Sequence, residues 1–335
     1  MKIAIVTDAW EPQVNGVVRT LKMTAQELTH LGHTVKVISP SQFYSIPCPS
    51  YPEIRLALVW PSELSKIFHD FSPHCIHIAT EGTLGWLARS FCLKHKIPFT
   101  SAFHTRFPEY MYARFHIPIH WGYAVLRKFH QSSSACLTPT SAIKQTLESK
   151  NFSHIKLWSP GVDTQVFKPN GIRLERSNSP VFLYAGRIAI EKQVDHFLGL
   201  DLPGEKWVAG DGPELPRLKS KYPSARWFGS LDSVSLATLY RSADALVFTS
   251  VTDTFGLVML EAMACGTPVA AYPVAGPIDV VKPGVSGVLD QDLRRACLAA
   301  SALPRDQVTL YAASFSWQSA TQQFLSALMP IQWSK

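Results

Sequence analysis

Short apolar segments alternate with segments of helical spacing along the whole chain, and this alternation constrains the fold more than any other feature. Ile3–Val6 is an apolar strand, and from Val17 to Leu31 apolar residues recur every three or four positions. Gly32 ends this helix, and Thr34–Ser39 forms the next strand. A strand, a helix and a second strand in this order predict a parallel, doubly wound α/β sheet.

The alternation forms two series separated by a polar segment. Residues 163–180 are rich in polar residues, proline and glycine, which is typical of a linker. We therefore predict an N-terminal domain over residues 1–165 and a C-terminal domain over 166–335. The final helix, about residues 315–330, is a candidate to return to the N-terminal domain.

The other elements are predicted from apolar runs and their periodicity. The predicted strands are Ile54–Val59, Cys75–Ala79, Phe99–Phe103, Ala135–Thr138, Ile155–Trp158, Val181–Ala185, Trp207–Ala209, Arg226–Phe228, Ala245–Thr249, Val269–Tyr272 and Gly287–Leu289. The predicted helices outside the first and last are Ser62–His69, Leu84–Lys94, Trp121–Gln131, Ser141–Lys150 and Leu293–Ala302.

Composition narrows the class of protein. With 335 residues, 46% hydrophobic and 17% charged, the chain is globular rather than disordered. Its six cysteines form no CxxC pair and lie mostly in apolar runs, so we expect buried free thiols and a reducing compartment. The N-terminal apolar run is too short for a signal peptide and no run is long enough to span a bilayer, so we expect a cytoplasmic protein. The net charge of +7 favours anionic partners: nucleic acid, nucleotide phosphates or an anionic membrane surface.

The segment from Thr249 to Ala275 carries the strongest candidate site. Asp253 and Glu261 are eight positions apart, with Gly256 and a helix start between them. Backbone N–H groups at a helix start attract phosphate, and a carboxylate further along can accept hydrogen bonds from a diol. The alternative is an ordinary loop-helix-strand unit with Glu261 on a solvated face, and this segment alone does not choose between the two.

Further candidates follow other strands. Arg187 and Lys192 come after the first strand of the second series, where they could hold a diphosphate; as an isolated pair they would more often be solvated surface cations. In the first series Gly16 opens the first helix, and His104 follows its strand directly. Glu81 has the same placement after Cys75–Ala79, and open α/β sheets bind ligands at this edge.

Two other patterns favour a structural role. Gly210-Asp211-Gly212 lacks the third glycine of a dinucleotide fingerprint and is interpreted as a strand-to-helix turn. Asp290-Gln291-Asp292 is the one D-x-D sequence, and it precedes a helix. We interpret it as helix capping rather than a metal site.

Several of these segments, in their order and spacing, resemble the retaining glycosyltransferase family 4. The matching segments cover nearly the whole chain: TDAWEPQVNGVVRTL, HIATEGTLGWLAR, FHTRFPEY, WSPGVDTQVF, YAGRIAIEK, VAGDGPELPRLK and TDTFGLVMLEAMACGTPVAAYPVAGPIDVV. The resemblance implies the GT-B fold, two Rossmann-like domains facing a cleft. It is closest to bacterial α-mannosyltransferases and to glycolipid synthases that glycosylate diacylglycerol.

The resemblance also implies roles for the candidates. Glu261 matches the ribose-binding glutamate of the E-x7-E motif, and Asp253 matches the position near the donor sugar. Arg187 and Lys192 match the pair on the donor diphosphate. The remaining matches are Gly16 near the donor phosphate and sugar, His104 near the reacting sugar carbon, and the backbone of Phe255, Gly256 and Leu257 against sugar and phosphate.

The sequence departs from the family pattern at Asp253, where glutamate is usual. Asp is shorter by one methylene, which puts the contact with the sugar in question while the charge and the spacing remain. Pro160 also stands where many relatives have Arg or Asn, and we assign no consequence to it. The expected reaction is transfer of a hexose from a UDP- or GDP-sugar to a hydroxyl, with no metal and no cofactor.

The expected acceptor is a membrane lipid such as diacylglycerol. From Arg89 to His130 there are seven Lys or Arg and one acid, Glu109. The interleaved aromatic residues include Phe107, Tyr110, Tyr112, Phe115, Trp121, Tyr123 and Phe129. Cations with Trp and Tyr suit an anionic lipid surface, so we expect peripheral association with the inner face of the cytoplasmic membrane. The structural alternative is a solvated basic face with the aromatics in the core. The alternative is a mannosyltransferase whose acceptor is a soluble or lipid-linked glycan of the cell envelope.

Three rival classes remain open to test. A catalytically silent sugar-nucleotide sensor would keep the donor site without turnover, and a phosphorylase would need a lysine bearing pyridoxal phosphate. A nucleic-acid binder could use the same basic and aromatic residues by stacking and phosphate contacts. The retained His104, Lys192 and Glu261 argue against the sensor, and no segment of the sequence supports a pyridoxal phosphate lysine. The resemblance argues against the nucleic-acid binder.

Overall fold

The protein forms two compact units in a computed structural model that describes residues 1–48 and 51–332. The first unit contains Met1–Tyr112, His116–Pro160 and the C-terminal segment that begins at Trp317. The second contains Ala113–Phe115 and Gly161–Ser316. In the described residues no helix is long and apolar enough to cross a membrane.

The first unit is built on a parallel sheet of six strands in the order β2-β1-β5-β6-β7-β8. The strands of the first unit are β1 Lys2–Val6, β2 Thr34–Ile38, β3 Ser45–Cys48, β4 Tyr51–Ala57, β5 Cys75–Ile78, β6 Thr100–Ala102, β7 Ala135–Thr138 and β8 Ile155–Leu157. Its helices are α1 Gly16–His30, α2 Pro61–Phe71, α3 Thr83–Lys94, α4 Phe107–Phe115, α5 Ile119–His130 and α6 Ser141–Ser149.

The second unit repeats the architecture with the strand order β11-β10-β9-β12-β13-β14. Its strands are β9 Val181–Ala185, β10 Glu205–Ala209, β11 Arg226–Gly229, β12 Ala245–Phe248, β13 Val269–Ala271 and β14 Gly287–Leu289. The remaining helices are α7 Val194–Leu198, α8 Leu215–Lys221, α9 Ser233–Ser242, α10 Leu257–Ala264, α11 Pro277–Val280, α12 Leu293–Ala300, α13 Arg305–Ala312 and α14 Trp317–Ala327.

Each sheet is buried on both faces, which explains why its strands are apolar runs. In β9 the side chains of Val181, Leu183 and Ala185 enter the core on one face, and Phe182 and Tyr184 enter the core on the other. This alternation follows from the two-residue period of a strand. The parallel α/β architecture predicted from the sequence is confirmed.

The final helix packs on the first unit. In α14, Phe324 and Ala327 are buried with Ile3, Ile5 and Leu21 of the first unit, and α14 contacts α1. The chain therefore returns to its first unit after completing the second.

The structure differs from the predicted organisation in several places, three of which concern the pairing of a strand, a helix and the boundary between the units. Ile54–Val59 was predicted as a strand of the parallel series, but β4 pairs antiparallel with β3 in a separate two-stranded sheet. The helix α4 was not predicted. The first residues of the predicted linker belong to the second unit. Phe167 is buried there, and its ring lies 6.0 Å from that of Tyr240. The unit boundary therefore falls after Pro160 rather than after residue 165.

Candidate functional site

The candidate site of the second unit lies where β9 and β12, which are neighbours in the sheet, reach their carboxyl ends. The loop after β9 carries Arg187 and Lys192, and the loop after β12 carries Asp253. The Thr249 hydroxyl donates to the Lys192 carbonyl at 2.5 Å. Because parallel strands end at the same edge, the two loops meet there and bring distant parts of the sequence together.

Lys192 and Asp253 form an ion pair between the two loops. The side chains are 16% and 19% exposed, so both charges are partly withdrawn from water but still reachable. Such a pair is screened less than a surface pair, and a bound anion would compete with Asp253 for the ammonium. The structure thus places one cation and one carboxylate of the predicted site in direct contact.

Gly256 lies at the point where the loop after β12 ends and helix α10 begins. Its φ of +85° lies in the left-handed region, and a Cβ at this position would come within 2.8 Å of both Phe248 Cζ and Met259 Cε. No side chain caps the helix at Gly256, and its first turn holds no acid. Backbone N–H groups at Phe255, Gly256 and Leu257 therefore lie at a helix start suited to an anionic group.

Glu261 is buried, 3% exposed, rather than on the solvated face of the structural alternative. Its Oε2 accepts a hydrogen bond from the hydroxyl of Tyr240 in α9 at 3.2 Å. A buried carboxylate costs free energy unless it is hydrogen-bonded, so this contact stabilises the folded state. The structure therefore holds the Glu261 carboxylate in a fixed orientation.

Arg187 lies on a loop whose backbone is held on both sides. The hydroxyl of Tyr184 donates to the Arg187 carbonyl at 2.7 Å. Gly186 donates its N–H to the Ala209 carbonyl at 2.9 Å, and a Cβ on Gly210 would lie 1.8 Å from the Gly186 oxygen. The Gly210-Asp211-Gly212 turn is thus a backbone contact between the loops after β9 and β10, which is a structural reason for its glycines.

In the first unit, Gly16 begins α1, the helix that follows β1. Asn15 is the N-cap, and its side-chain oxygen accepts from the Val18 N–H at 3.0 Å. Gly16 is exposed at this helix start, which leaves its backbone open to approach.

Asp8 is a residue that sequence reasoning left without a role. It follows β1 and is 4% exposed, and its carboxylate accepts from the N–H groups of Leu84 and Gly85 at the start of α3 (3.0 and 3.3 Å) and from the Thr80 hydroxyl. A Cβ on Gly82 would lie 2.3 Å from the Asp8 carboxyl carbon. The carboxylate therefore caps α3, a role that no local pattern could signal because its partners are over 70 residues away.

His104 follows β6 by two residues, and its ring lies 5.5 Å from that of Trp158. Burial, together with the nearby charge of His130, lowers the pKa of His104 to about 4. The imidazole is therefore neutral near pH 7, with one nitrogen able to donate and the other to accept.

The D-x-D sequence has the predicted structural role. Asp292 is the N-cap of α12 and accepts from the Arg295 N–H at 3.2 Å. Asp290 binds the Arg295 guanidinium at 2.5 and 2.7 Å. Within residues 1–48 and 51–332, no group of His, Cys, Asp or Glu side chains has the arrangement of a metal site.

The cysteines agree with the expectation of free thiols. The structure places none of the six in a disulfide; five are buried, and Cys48 is partly exposed.

Two family models match consecutive parts of the chain. The model described as Glycosyltransferase Family 4 matches residues 14–166, and the model described as Glycosyl transferases group 1 matches residues 179–303. Together they span both units.

Curated relatives extend over most of the chain. A GDP-mannose-dependent alpha-mannosyltransferase of Mycobacterium tuberculosis is 28% identical over 316 residues, which covers 86% of this chain and 83% of the relative. An alpha-monoglucosyldiacylglycerol synthase of Streptococcus pneumoniae is 26% identical over 318 residues, covering 81% and 71%.

Solved structures share the fold. A sucrose-phosphate synthase from Thermosynechococcus elongatus aligns with a TM-score of 0.80 at 19% identity, covering 97% of each chain. Anabaena HepE, solved with UDP and glucose, aligns with a TM-score of 0.72 at 17% identity over 97% of this chain and 98% of the other. Both are examples of the GT-B fold that the resemblance implied.

Proposed function

We propose that this chain, which belongs to glycosyltransferase family 4 and uses a nucleotide sugar, transfers a hexose with retention to a hydroxyl of a membrane lipid such as diacylglycerol. The observation that carries the donor half of the proposal is the Lys192–Asp253 pair beside the uncapped start of α10. A cation, a carboxylate and the N–H groups of a helix start are what a diphosphate joined to a sugar requires.

In the proposed reaction the bond between the sugar C1 and the diphosphate oxygen breaks, and the electron pair leaves with the diphosphate. Arg187 and Lys192 would stabilise the charge that develops there. The acceptor oxygen bonds to C1 on the face that the diphosphate leaves, and its proton passes to the leaving phosphate. The chain then needs no separate base, and His104, neutral near pH 7, would contact the sugar through a hydrogen bond.

The roles of the two carboxylates differ in this proposal. Glu261 is held by Tyr240 and would accept hydrogen bonds from the ribose diol. Asp253 would contact the donor sugar once the diphosphate has taken over Lys192. Asp253→Glu should then keep nucleotide binding and alter the handling of the sugar. Loss of nucleotide binding in that variant would contradict this division of roles.

The donor half is tested with a panel of nucleotide sugars, first by thermal shift and then by transfer. GDP-mannose heads the panel because relatives over most of the chain are named GDP-mannose-dependent mannosyltransferases. We expect one donor to raise the unfolding temperature and to be turned over in EDTA as well as in buffer. Activity lost in EDTA and restored by Mg²⁺ or Mn²⁺ would overturn the metal-free reaction.

An apolar groove between α4 and α5 supports a lipid acceptor. It has a volume of about 280 Å³ and is lined by apolar side chains and one glycine. The lining residues are Phe107, Pro108, Met111, Ile117, Pro118, Trp121, Gly122, Val125 and Leu126. Trp121 and Val125 lie one turn apart on α5 and are 63% and 55% exposed, so the groove opens at an apolar surface.

The groove lies within the basic stretch from Arg89 to His130. The one acid of the basic stretch, Glu109, is held by the Arg106 guanidinium at 2.7 Å and the Tyr123 hydroxyl at 2.8 Å, and only 12% of its side chain is exposed. Some aromatic residues of the basic stretch are not at the surface, since Tyr123 and Phe129 are buried in the core. Exposed apolar side chains in a stretch with seven Lys or Arg and one acid suit an anionic lipid surface, so we propose peripheral association with a membrane.

Liposome pelleting tests the acceptor half. The protein should pellet with anionic vesicles at low salt, and Trp121→Ala should weaken pelleting several-fold. Trp60→Ala is the matched control, because Trp60 is 75% exposed and lies outside the groove. Pelleting equal in the two variants would remove the groove from the proposal. Failure of the wild-type protein to pellet would favour the soluble or lipid-linked glycan acceptor.

A further inference from the structure

A buried network in the first unit links Glu81, His130 and Ser101. His130 is the last residue of α5, and its side chain is 1% exposed. Its Nε2 lies 3.0 Å from Glu81 Oε1, and its Nδ1 lies 2.8 Å from the Ser101 hydroxyl. The Glu81 side chain is 7% exposed, so the ion pair is almost completely removed from water.

The hydrogen atoms of this network can be assigned from its geometry. The Ser133 hydroxyl donates to the His130 carbonyl at 2.7 Å, which uses its one hydrogen. Ser101, 3.0 Å from Ser133, must then donate to it. The Ser101 oxygen is left to accept from His130 Nδ1, and the Glu81 carboxylate accepts from Nε2. Both ring nitrogens of His130 therefore carry hydrogen, and the ring is an imidazolium.

The surroundings agree with a charged ring. Burial opposes the charge, but attraction and hydrogen bonding from Cys136 and then Glu81 outweigh it and raise the pKa of His130 to about 10. The other rings around it belong to Phe103, Phe129 and Phe152, which carry no charge. Of the described titratable groups, those that face His130 are Glu81 after β5, Cys136 on β7 and His104 after β6.

The network is tied to His104 in two ways. Ser101 lies on β6, and His104 follows it by three residues on the same strand end, so the imidazolium anchors the segment that carries His104. The positive charge also opposes protonation of His104, whose pKa burial has already lowered. His77 on β5 is the other titratable neighbour of His104 and is itself buried and neutral.

We propose that the Glu81–His130 ion pair is a positioning device that keeps His104 neutral and fixes the end of β6, which His104 follows by two residues. The proposal rests on the proposed function only where it assigns His104 a contact with the donor sugar. The electrostatic link itself is a property of the first unit.

The test is a direct titration of the histidines by NMR in the full-length protein. The His104 resonance is assigned from a His104→Asn spectrum, and its pKa is measured in the wild type, His130→Gln and Glu81→Gln/His130→Gln. We expect the His104 pKa to rise by about one unit or more in His130→Gln. The positive charge of His130, which repels a proton on His104, is lost, and the negative charge of Glu81 is no longer neutralised. The double variant removes both charges of the pair, so it should fold, and it should raise the His104 pKa by a smaller amount.

His120→Gln, an exposed histidine on the same helix, is the matched control and should change nothing. An unchanged His104 pKa in both the single and double variants would overturn the proposal, as would a wild-type His130 that titrates near 6.5. If transfer activity is found, the acid limb of kcat/KM should move upward with the His104 pKa. If no donor is turned over, the proposed function fails while the titration still decides the inference.

Discussion

Replacing Gly256 by alanine should damage the second unit and the donor site together. The residue has φ +85°, and the left-handed region costs a residue with a Cβ roughly 1–2 kcal/mol. The new Cβ would also lie 2.8 Å from Phe248 Cζ and from Met259 Cε. Met259 can move its terminal methyl, but Phe248 is 5% exposed and packed in the core. Overpacking of this kind costs about 1–3 kcal/mol more.

Gly284→Ala separates the two causes. Gly284 has a similar φ of +76°, but a Cβ there would meet no heavy atom within 4 Å. This variant should lose only the backbone contribution, about 1–2 kcal/mol. The difference between the variants in the free energy of unfolding, about 1–3 kcal/mol, then measures the crowding against Phe248.

Urea unfolding and donor binding are the two assays. Unfolding is followed for all three proteins under identical conditions, since two units need not unfold in a single step. Donor affinity is measured by calorimetry with the nucleotide sugar that the panel selects. Gly256→Ala should weaken donor binding because α10 begins at this residue, and Gly284→Ala should not. Equal stability losses in the two variants would show that Phe248 and Met259 adjust freely, which would refute the argument from crowding.

Three other predictions follow from named contacts. Lys192→Ala should lower kcat/KM with the nucleotide sugar by roughly 10²-fold or more, as loss of a transition-state contact does, and steady-state turnover near the wild-type value would contradict its role. Tyr240→Phe should lower the unfolding free energy by about 1–3 kcal/mol, because the Glu261 carboxylate loses a donor, and an unchanged denaturation midpoint would contradict that. The raised pKa of His130 means that the folded protein keeps a proton that the unfolded chain releases above about 6.5. Stability should therefore fall as the pH rises from about 6.5 towards about 10. Urea titrations at several pH values should show that fall in the wild type and a flatter profile in Glu81→Gln/His130→Gln.

Much of the fold could be predicted because both sheets are buried on two faces. Strands in such sheets are short apolar runs, and β7, β9 and β14 were predicted with the bounds that the structure gives. The helix α4 was missed because its aromatic and charged residues do not form a clear apolar face. The strand β4 was assigned to the wrong sheet because an apolar run does not state its pairing partner.

Local sequence patterns were enough to predict which strand ends carry chemical groups. Gly256 had to be a turn residue before a helix, and Lys192 and Asp253 had to follow strands, because these are consequences of local pattern. Only the tertiary structure decided which of these groups meet. The Lys192–Asp253 pair joins residues 61 positions apart, and the His130–Glu81 pair joins residues 49 positions apart. Such contacts depend on the order of strands in the sheet and on the burial of each side chain, and periodicity along the chain specifies neither.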